Sequence, residues 1–164
     1  CVNVNLMFET LVVFYSLEGN TKFIAEVIAN ELKVDLLELK PKKEISTKGF
    51  MRFFWGGKQV AMREKPSLIT LKKDASKYDL IIIGTPVWNF SFTPPVRSFF
   101  SEVELKNKKI ALFCSHTGFP GKTIINMKNE LKENTFIGEM EFLNVLANKS
   151  KNKVLAKKWI KTFV

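Results

Sequence analysis

The sequence contains very little histidine and cysteine, and this scarcity limits the chemistry that the chain can carry. Among 164 residues it has one histidine, His116, and two cysteines, Cys1 and Cys114. Metal centres and disulfide frameworks both need several such residues at regular spacing. We therefore expect no metal site and no disulfide framework, and a reducing, cytoplasmic location. Cys114 lies in an apolar run and is predicted to be a buried thiol.

Long apolar runs are missing as well. No segment offers the roughly 20 consecutive apolar residues that a membrane-spanning helix needs, and the first ten residues lack the pattern of a signal peptide. We expect no membrane association. Hydrophobic residues make up 46% of the chain, enough for one full core, and the length predicts a single domain over residues 1–164.

Acidic residues are outnumbered by basic ones. The chain has 16 Asp and Glu against 26 Lys and Arg, only three of them arginine, and its formal net charge is +10. Such a balance suits nucleic acid, anionic lipid or an acidic protein. Because the lysines are spread along the whole chain and no nucleic-acid-binding signature is present, we interpret them as a solvated basic surface and expect no nucleic-acid partner.

Apolar runs alternate with helical patterns along the chain. Five repeats of this alternation predict an α/β fold with a parallel sheet and helices on both faces. The predicted strands are 11–15, 34–39, 78–84, 108–115 and 135–142, and the predicted helices are 21–32, 95–100, 123–132 and 149–162.

One connection, at about residues 41–77, is much longer than a crossover requires and is predicted to be an insert. Its aromatic residues crowd between Phe50 and Trp55, just before Gly56 and Gly57. Two interpretations stay open. The aromatic residues belong to a helix that packs on the sheet, which is the commoner use of this spacing, or they cover a site.

The stretch YSLEGNT, residues 15–21, ends the first strand and opens the first helix. A helix start offers unpaired N–H groups and a positive dipole end, both suited to phosphate. Ser16, Asn20 and Thr21 add polar groups, and Gly19 lets the backbone approach an anion closely. The stretch predicts a phosphate-binding loop, although Asn20 or Thr21 acting as an ordinary helix cap would produce the same pattern.

Two further loops follow strands at the same edge of the predicted sheet. They are GTPVWNFSFTPP at 84–95 and SHTGFPGKT at 115–123. Ligands of parallel sheets bind at the carboxyl ends of the strands, so the three loops together predict a cleft for a phosphorylated, flat, aromatic ligand. The last loop ends like a nucleotide-binding P-loop, but His116 occupies the position where that motif requires its first glycine.

In the order and placement of these loops, the sequence resembles the flavodoxin-like family of FMN-binding proteins from Leu11 onward. The family's phosphate loop is similar to residues 16–21, its first flavin-ring loop to 85–89 and its second to 115–119. The resemblance implies a three-layer α/β/α sandwich with a five-stranded parallel sheet of order 2-1-3-4-5, and FMN as cofactor. The cofactor-binding residues that it implies are Ser16, Leu17, Glu18, Gly19, Asn20, Thr21, Thr85, Pro86, Val87, Trp88, Asn89, Ser115, His116, Thr117, Gly118 and Phe119.

Individual residues of these loops carry further expectations. Trp88 is expected to lie against the flavin ring, with Phe90 and Phe119 as the next candidates, and Asn89 is expected to tolerate a positive φ. Glu18 departs from the family, which has a hydroxyl residue there. Because phosphate repels a carboxylate, we expect Glu18 to turn outward and Lys22 to offset its charge.

Three functions remain open after the resemblance is taken into account. The first is an electron-transfer flavoprotein that shuttles electrons between redox partners, and the second is an FMN-dependent NAD(P)H:quinone or flavin reductase. The third is a non-redox binding module with the same fold. His116, beside the ring, is a candidate catalytic group for proton transfer. The basic surface predicts an acidic redox partner, either a ferredoxin-type protein or a reductase. The sequence does not distinguish a monomer from a homodimer.

Overall fold

Five parallel strands form one sheet of order β2-β1-β3-β4-β5 in the computed structural model. The structure describes residues 8–44, 57–58, 60 and 62–164. The strands are β1 (Thr10–Phe14), β2 (Asp35–Glu38), β3 (Leu80–Pro86), β4 (Lys109–His116) and β5 (Thr135–Leu143). The helices are α1 (Asn20–Leu32), α2 (Pro94–Glu102), α3 (Thr123–Glu130) and α4 (Lys149–Ile160).

The central strands are buried on both faces, which explains their uninterrupted apolar sequences. In β1, Leu11 and Val13 point into a core that contains residues of α2 and α3. Val12 and Phe14 point into the opposite core, with residues of α1 and α4. The predicted α/β/α sandwich and its strand order are therefore confirmed.

Cys114 lies inside β4 and is a fully buried free thiol, as predicted. Burial raises the pKa of this thiol to about 12, and the nearby Glu141 carboxylate adds to the rise. The side chain therefore stays protonated at neutral pH and acts as a small apolar group in the core.

Helix α2 begins one residue earlier and ends two residues later than predicted. Pro94 stands at its first turn, where a fixed φ and a missing N–H cost nothing. Helix α3 ends at Glu130, two residues before the predicted end, and Leu131 follows as its C-cap.

The connection between β2 and β3 is described only in part. Residues 45–56, 59 and 61 lie outside the described residues, so both interpretations of the aromatic residues at 50–55 stay predictions. The second half of this connection contacts both its beginning and helix α2. Pro41 and Leu68 form an antiparallel bridge, and the Ser98 hydroxyl on α2 donates to the Pro66 carbonyl at 2.6 Å.

Within the described ranges, none of the helices is long and apolar enough to cross a membrane. In the same part of the chain, no group of three or more His, Cys, Asp or Glu side chains is arranged to hold a metal ion.

Candidate functional site

A cleft of about 260 Å³ opens at the edge of the sheet where β1, β3 and β4 end. One water molecule occupies about 30 Å³ of the liquid, so the cleft has room for part of an organic ligand. It is lined by Ser16, Leu17, Glu18, Asn20, Thr21, Gly57, Pro86, Val87, Trp88, Asn89, Ser115, His116 and Thr117. The structure thus brings the three predicted loops together and adds Gly57 from the insert, which the sequence analysis did not select.

Four of the predicted residues do not line the cleft. Gly19 forms the turn into α1, and Gly118 and Phe119 are exposed beyond the cleft-lining part of the loop after β4. Thr85 is fully buried. Its hydroxyl donates to the Pro86 carbonyl at 2.8 Å and accepts from the Thr93 N–H at 3.2 Å. Thr85 therefore supports the loop after β3 from inside the protein.

The loop before α1 is organised by its own hydrogen bonds. Gly19, the N-cap residue, has a φ of 95°, a conformation that glycine adopts without strain. Its N–H donates to Ser16 Oγ at 3.1 Å. Among the described residues, no side chain caps α1, so the alternative that Asn20 or Thr21 is an ordinary cap is wrong. The N–H groups of the first helical turn are left for water or an anion.

The side chains of Asn20 and Thr21 instead hold the loop against its neighbours. Thr21 Oγ1 lies 2.7 Å from Ser115 Oγ, and both residues are buried. Asn20 Oδ1 accepts the N–H of Leu146 at 3.2 Å. The first contact ties the start of α1 to the end of β4, and the second ties it to the turn before α4.

Of the two charged residues near this loop, Glu18 lies where it was predicted and Lys22 does not. Glu18 is exposed, as expected for a carboxylate beside an anion site, although it also contributes to the cleft wall. Lys22 pairs elsewhere, because its Nζ lies 3.4 Å from Glu38 Oε2 on β2. Lys40 approaches the same Glu38 oxygen at 3.6 Å.

The loop after β3 is a tight hairpin. Trp88 and Ser91 exchange two backbone hydrogen bonds, of 2.9 and 3.0 Å. Between them, Asn89 and Phe90 have φ values of 47° and 59°, the pattern of a type I′ turn. Asn89 adopts the positive φ that was predicted to suit it. For Phe90 the left-handed conformation costs roughly 1–2 kcal/mol.

Contacts from α3 and from the loop before it hold this hairpin in place. The Lys122 N–H donates to the Phe90 carbonyl at 3.0 Å, and Asn126 Nδ2 donates to Ser91 Oγ at 2.9 Å. Gly121 packs so closely that a Cβ on it would lie 2.5 Å from the Phe90 Cβ. The sequence alone could not show this contact, because Gly121 and Phe90 are far apart along the chain.

Trp88 forms part of the cleft wall and rests on Tyr15. Their rings meet edge to face, with centroids 5.6 Å apart. Tyr15 is 1% exposed, and its hydroxyl donates to Glu44 Oε1 at 2.7 Å. Burial raises the pKa of Tyr15 far above its usual value, and the bond to Glu44 raises it further. Tyr15 is therefore a fixed, neutral support for Trp88, a role that the sequence did not assign to it.

His116, the last residue of β4, presents polar atoms that the protein does not satisfy. Both of its ring nitrogens are buried and lack a hydrogen-bond partner. An unpaired buried polar group costs about 1–3 kcal/mol, and a ligand or a water molecule is the usual remedy. An uncapped helix start, an aromatic wall and a free imidazole in one cleft together fit a phosphorylated, flat heteroaromatic group such as FMN.

Comparison with known proteins agrees with this fit. The family model described as Flavodoxin matches residues 9–163. A flavoprotein from Lactobacillus acidophilus NCFM, solved in complex with FMN, superposes with a TM-score of 0.74 at 23% identity, covering 93% of this chain and 99% of that one. Two-electron reduced flavodoxin from Megasphaera elsdenii superposes with a TM-score of 0.57 at 20% identity, covering 93% and 98%.

A further similar structure belongs to a larger protein. Rubredoxin oxygen:oxidoreductase from Desulfovibrio gigas superposes with a TM-score of 0.54 at 16% identity, covering 94% of this chain and 36% of that one. At such identities the structural likenesses establish the fold alone. The sequence matches none of the curated proteins with which it was compared.

The family match is stronger evidence than the structural similarities, because it spans nearly the whole chain and includes all three loops of the cleft. The sheet has the strand order of a flavodoxin-like fold, and FMN, the cofactor of the matched family, is the one that the resemblance implied. The chain belongs to the flavodoxin family, whose cofactor is FMN.

Proposed function

We propose that this protein is an electron-transfer flavoprotein that holds FMN in the cleft and shuttles electrons between redox partners. The observation that supports it most directly is the presence of an uncapped helix start and an aromatic wall in the same cleft. These features suit the two ends of FMN, its phosphate and its ring system. When bound, FMN supplies one- and two-electron chemistry, and the residues of the chain bind it, orient it and shield it from water.

The phosphate end is assigned to the loop before α1. The first-turn N–H groups and the positive end of the helix dipole favour an anion there. Ser16 Oγ already accepts the Gly19 N–H, so its own O–H is free to donate to a phosphate oxygen. Donors of this kind form charge-assisted bonds, which are stronger than neutral ones.

The ring end is assigned to the loops after β3 and β4. Trp88, supported by Tyr15, offers an aromatic surface, and Pro86 and Val87 continue the cleft wall beside it. The bond between Thr21 and Ser115 fixes the phosphate loop relative to the loop after β4. A cleft that is already formed in this way lowers the ordering cost of binding.

The sequence motifs and the net charge favour a carrier over a reductase. A carrier needs only FMN with an accessible ring edge, whereas a reductase must also bind NAD(P)H. The sequence contains no G-x-G-x-x-G motif for a separate nicotinamide-binding unit, so a nicotinamide would have to enter the same cleft. The net charge of +10 would steer an acidic redox protein toward this chain. A cytoplasmic location is part of the proposal, because Cys114 is a free thiol.

Reactivity with nicotinamides separates the carrier from the reductase. Under anaerobic conditions, the FMN-loaded protein should react slowly with NADH and NADPH, because a carrier has no binding site for either nicotinamide. Dithionite should reduce the bound flavin readily. Stopped-flow absorbance of the flavin measures both rates, with free FMN as the control for background reduction.

Two results would speak against the carrier. Saturable reduction by either nicotinamide, much faster than that of free FMN, would favour the reductase. Failure of the protein to bind FMN at all would favour the non-redox binding module.

Replacing Trp88 tests the assignment of the ring end. Trp88→Ala should weaken FMN binding by roughly 0.5–1.5 kcal/mol beyond lost burial, since aromatic pairs contribute about this much. The bound flavin should also become more fluorescent, because stacked tryptophan quenches it. Fluorescence titration measures both effects. Trp159→Phe is the matched control, since Trp159 packs against Phe113 and Phe163 away from the cleft.

Unchanged affinity and fluorescence in Trp88→Ala would show that another residue contacts the flavin ring. Phe90 and Phe119 are then the next candidates, since both are largely exposed, at 61% and 73%.

A further inference from the structure

Trp88 and Tyr15 form the one contact between a tryptophan and a tyrosine ring among the described residues. The rings meet edge to face, with centroids 5.6 Å apart. Trp88 is half-buried in the cleft wall, and Tyr15 lies behind it with 1% of its surface exposed. Tryptophan and tyrosine carry the aromatic rings that lose an electron most readily. The fold therefore holds two oxidisable rings in contact, one at the cleft and one inside the protein.

Both rings stand on fixed backbone. The Trp88 N–H donates to the Ser91 carbonyl at 2.9 Å. The Tyr15 N–H donates to the Gly84 carbonyl of the neighbouring strand β3 at 3.2 Å. The contact between the rings is thus set by the sheet and the hairpin together.

The Tyr15 hydroxyl is paired with a base. It donates to Glu44 Oε1 at 2.7 Å, and Glu44 is exposed, so a proton that reaches this carboxylate can pass on to water. Burial holds the pKa of Tyr15 far above its usual value, and the bond to Glu44 raises it further. The phenol therefore keeps its proton at neutral pH. A phenol that loses an electron becomes strongly acidic, so oxidation of Tyr15 would send this proton to Glu44.

We propose that Tyr15 and Glu44 repair Trp88 after one-electron oxidation, so that an oxidising equivalent arriving at the cleft wall ends on Tyr15. The oxidant is a one-electron oxidising radical from solution, and it takes one electron from the Trp88 indole. Tyr15 then gives one electron to the Trp88 radical cation, and its O–H bond breaks as the proton passes to the Glu44 carboxylate. The products are an intact indole, a neutral tyrosyl radical and a neutral carboxylic acid, so charge and electrons balance.

This activity goes beyond the proposed function and does not depend on it. The transfer uses only side chains of the protein itself. A protein that fails to bind FMN would refute the proposed function and leave the transfer between Trp88 and Tyr15 intact.

The second tyrosine of the chain is a matched control. The Tyr78 hydroxyl also donates to a carboxylate, that of Asp35, and this bond raises the pKa of Tyr78 to about 12. Tyr78 precedes β3 and Trp88 follows it, so the seven residues of that strand separate them by roughly 20 Å. Tyr78 thus has the carboxylate, but no tryptophan ring contacts it in the described part of the chain.

Pulse radiolysis with the azidyl radical, which oxidises tryptophan in preference to tyrosine at neutral pH, tests the transfer in the full chain. In the wild-type protein, the visible absorption of the tryptophan radical should decay while the near-ultraviolet absorption of the tyrosyl radical grows at the same rate. Tyr15→Phe keeps a ring against Trp88 and removes only the hydroxyl. This variant should lose the tyrosyl growth, whereas Tyr78→Phe should retain it.

Three further measurements locate the electron and the proton. Trp88→Phe should lose the tyrosyl growth, and Trp55→Phe, which removes a tryptophan outside the described residues, should retain it. Glu44→Gln keeps a hydrogen-bond acceptor but is a much weaker base, so it should slow the growth. In wild-type protein, the growth should also be slower in D₂O than in H₂O, because the proton moves with the electron.

Each outcome decides the inference. Loss of the tyrosyl growth in Tyr15→Phe and Trp88→Phe, with its retention in Tyr78→Phe, would support the transfer. Wild-type growth in Tyr15→Phe or Trp88→Phe would overturn it. The chain has two tyrosines, so a tyrosyl signal in Tyr78→Phe can come only from Tyr15. Its absence there would overturn the inference even if Tyr15→Phe fails to fold.

Discussion

FMN should bind to this protein at least about a hundredfold more tightly than riboflavin. Hydrogen bonds to a charged group contribute about 1.5–3 kcal/mol each, and about 1.4 kcal/mol corresponds to a factor of ten. Two such bonds from the loop before α1 are enough for the expected ratio. The phosphate makes these bonds, and riboflavin lacks it.

The structure gives this expectation a specific origin. In the part of the chain that the structure describes, helix α1 has no side-chain cap, so its first-turn N–H groups have no partner from a capping residue there. Gly19, with a φ of 95°, lets the backbone turn into the helix without a side chain in the way. Riboflavin would leave these groups to water, whereas FMN would bring a dianion to the positive end of the helix.

Fluorescence titration with both flavins measures the ratio. Ser16→Ala should lower it by about tenfold, because it removes one donor to a charged group. Ser101→Ala is the matched control, since the Ser101 hydroxyl on α2 bonds to the Arg97 carbonyl at 3.2 Å outside the cleft. Equal affinities for FMN and riboflavin in the wild-type protein would mean that the loop at 16–21 does not hold the phosphate.

Adding one methyl group at Gly84 should destabilise the whole fold. Gly84 lies in the middle of β3, and a Cβ there would stand 2.1 Å from Phe113 Cζ and 2.6 Å from two further ring atoms. Phe113 is fully buried, and its ring meets those of Phe142 and Trp159 edge to face. Because these rings pack against Phe113 and oppose its movement, Gly84→Ala should cost about 1–3 kcal/mol or more through overpacking.

Thermal unfolding followed by circular dichroism measures this cost. In a protein of this size, each kcal/mol lowers Tm by about 2–4 °C. Gly118→Ala is the matched control, because a Cβ at Gly118 would have no atom within 4 Å and should leave Tm nearly unchanged. A Gly84→Ala protein as stable as the control would show that the Phe113 ring can yield, and that packing against Gly84 is not tight.

The sequence by itself determined the sheet, the order of its elements and the position of the cleft. The runs at β1, β3 and β4 are apolar without interruption because both faces of these strands are buried, and this pattern is visible without coordinates. The loop chemistry is equally local. The Ser, Gly and Asn of the loop before α1 and the Trp and Asn after β3 follow directly on strand ends, so the three loops had to meet at one edge of the sheet.

Only the tertiary structure decided what each side chain in these loops does. Thr21 bonds to Ser115 and leaves the start of α1 uncapped, which the sequence could not distinguish from an ordinary cap. Tyr15 supports Trp88, and Gly121 packs against Phe90. The two members of each pair lie many residues apart along the chain. Local propensity fixes where a strand ends, but the direction of a side chain depends on the neighbours that packing brings to it. For the same reason, only the three-dimensional structure shows that the two ring nitrogens of His116 lack a hydrogen-bond partner among the described residues.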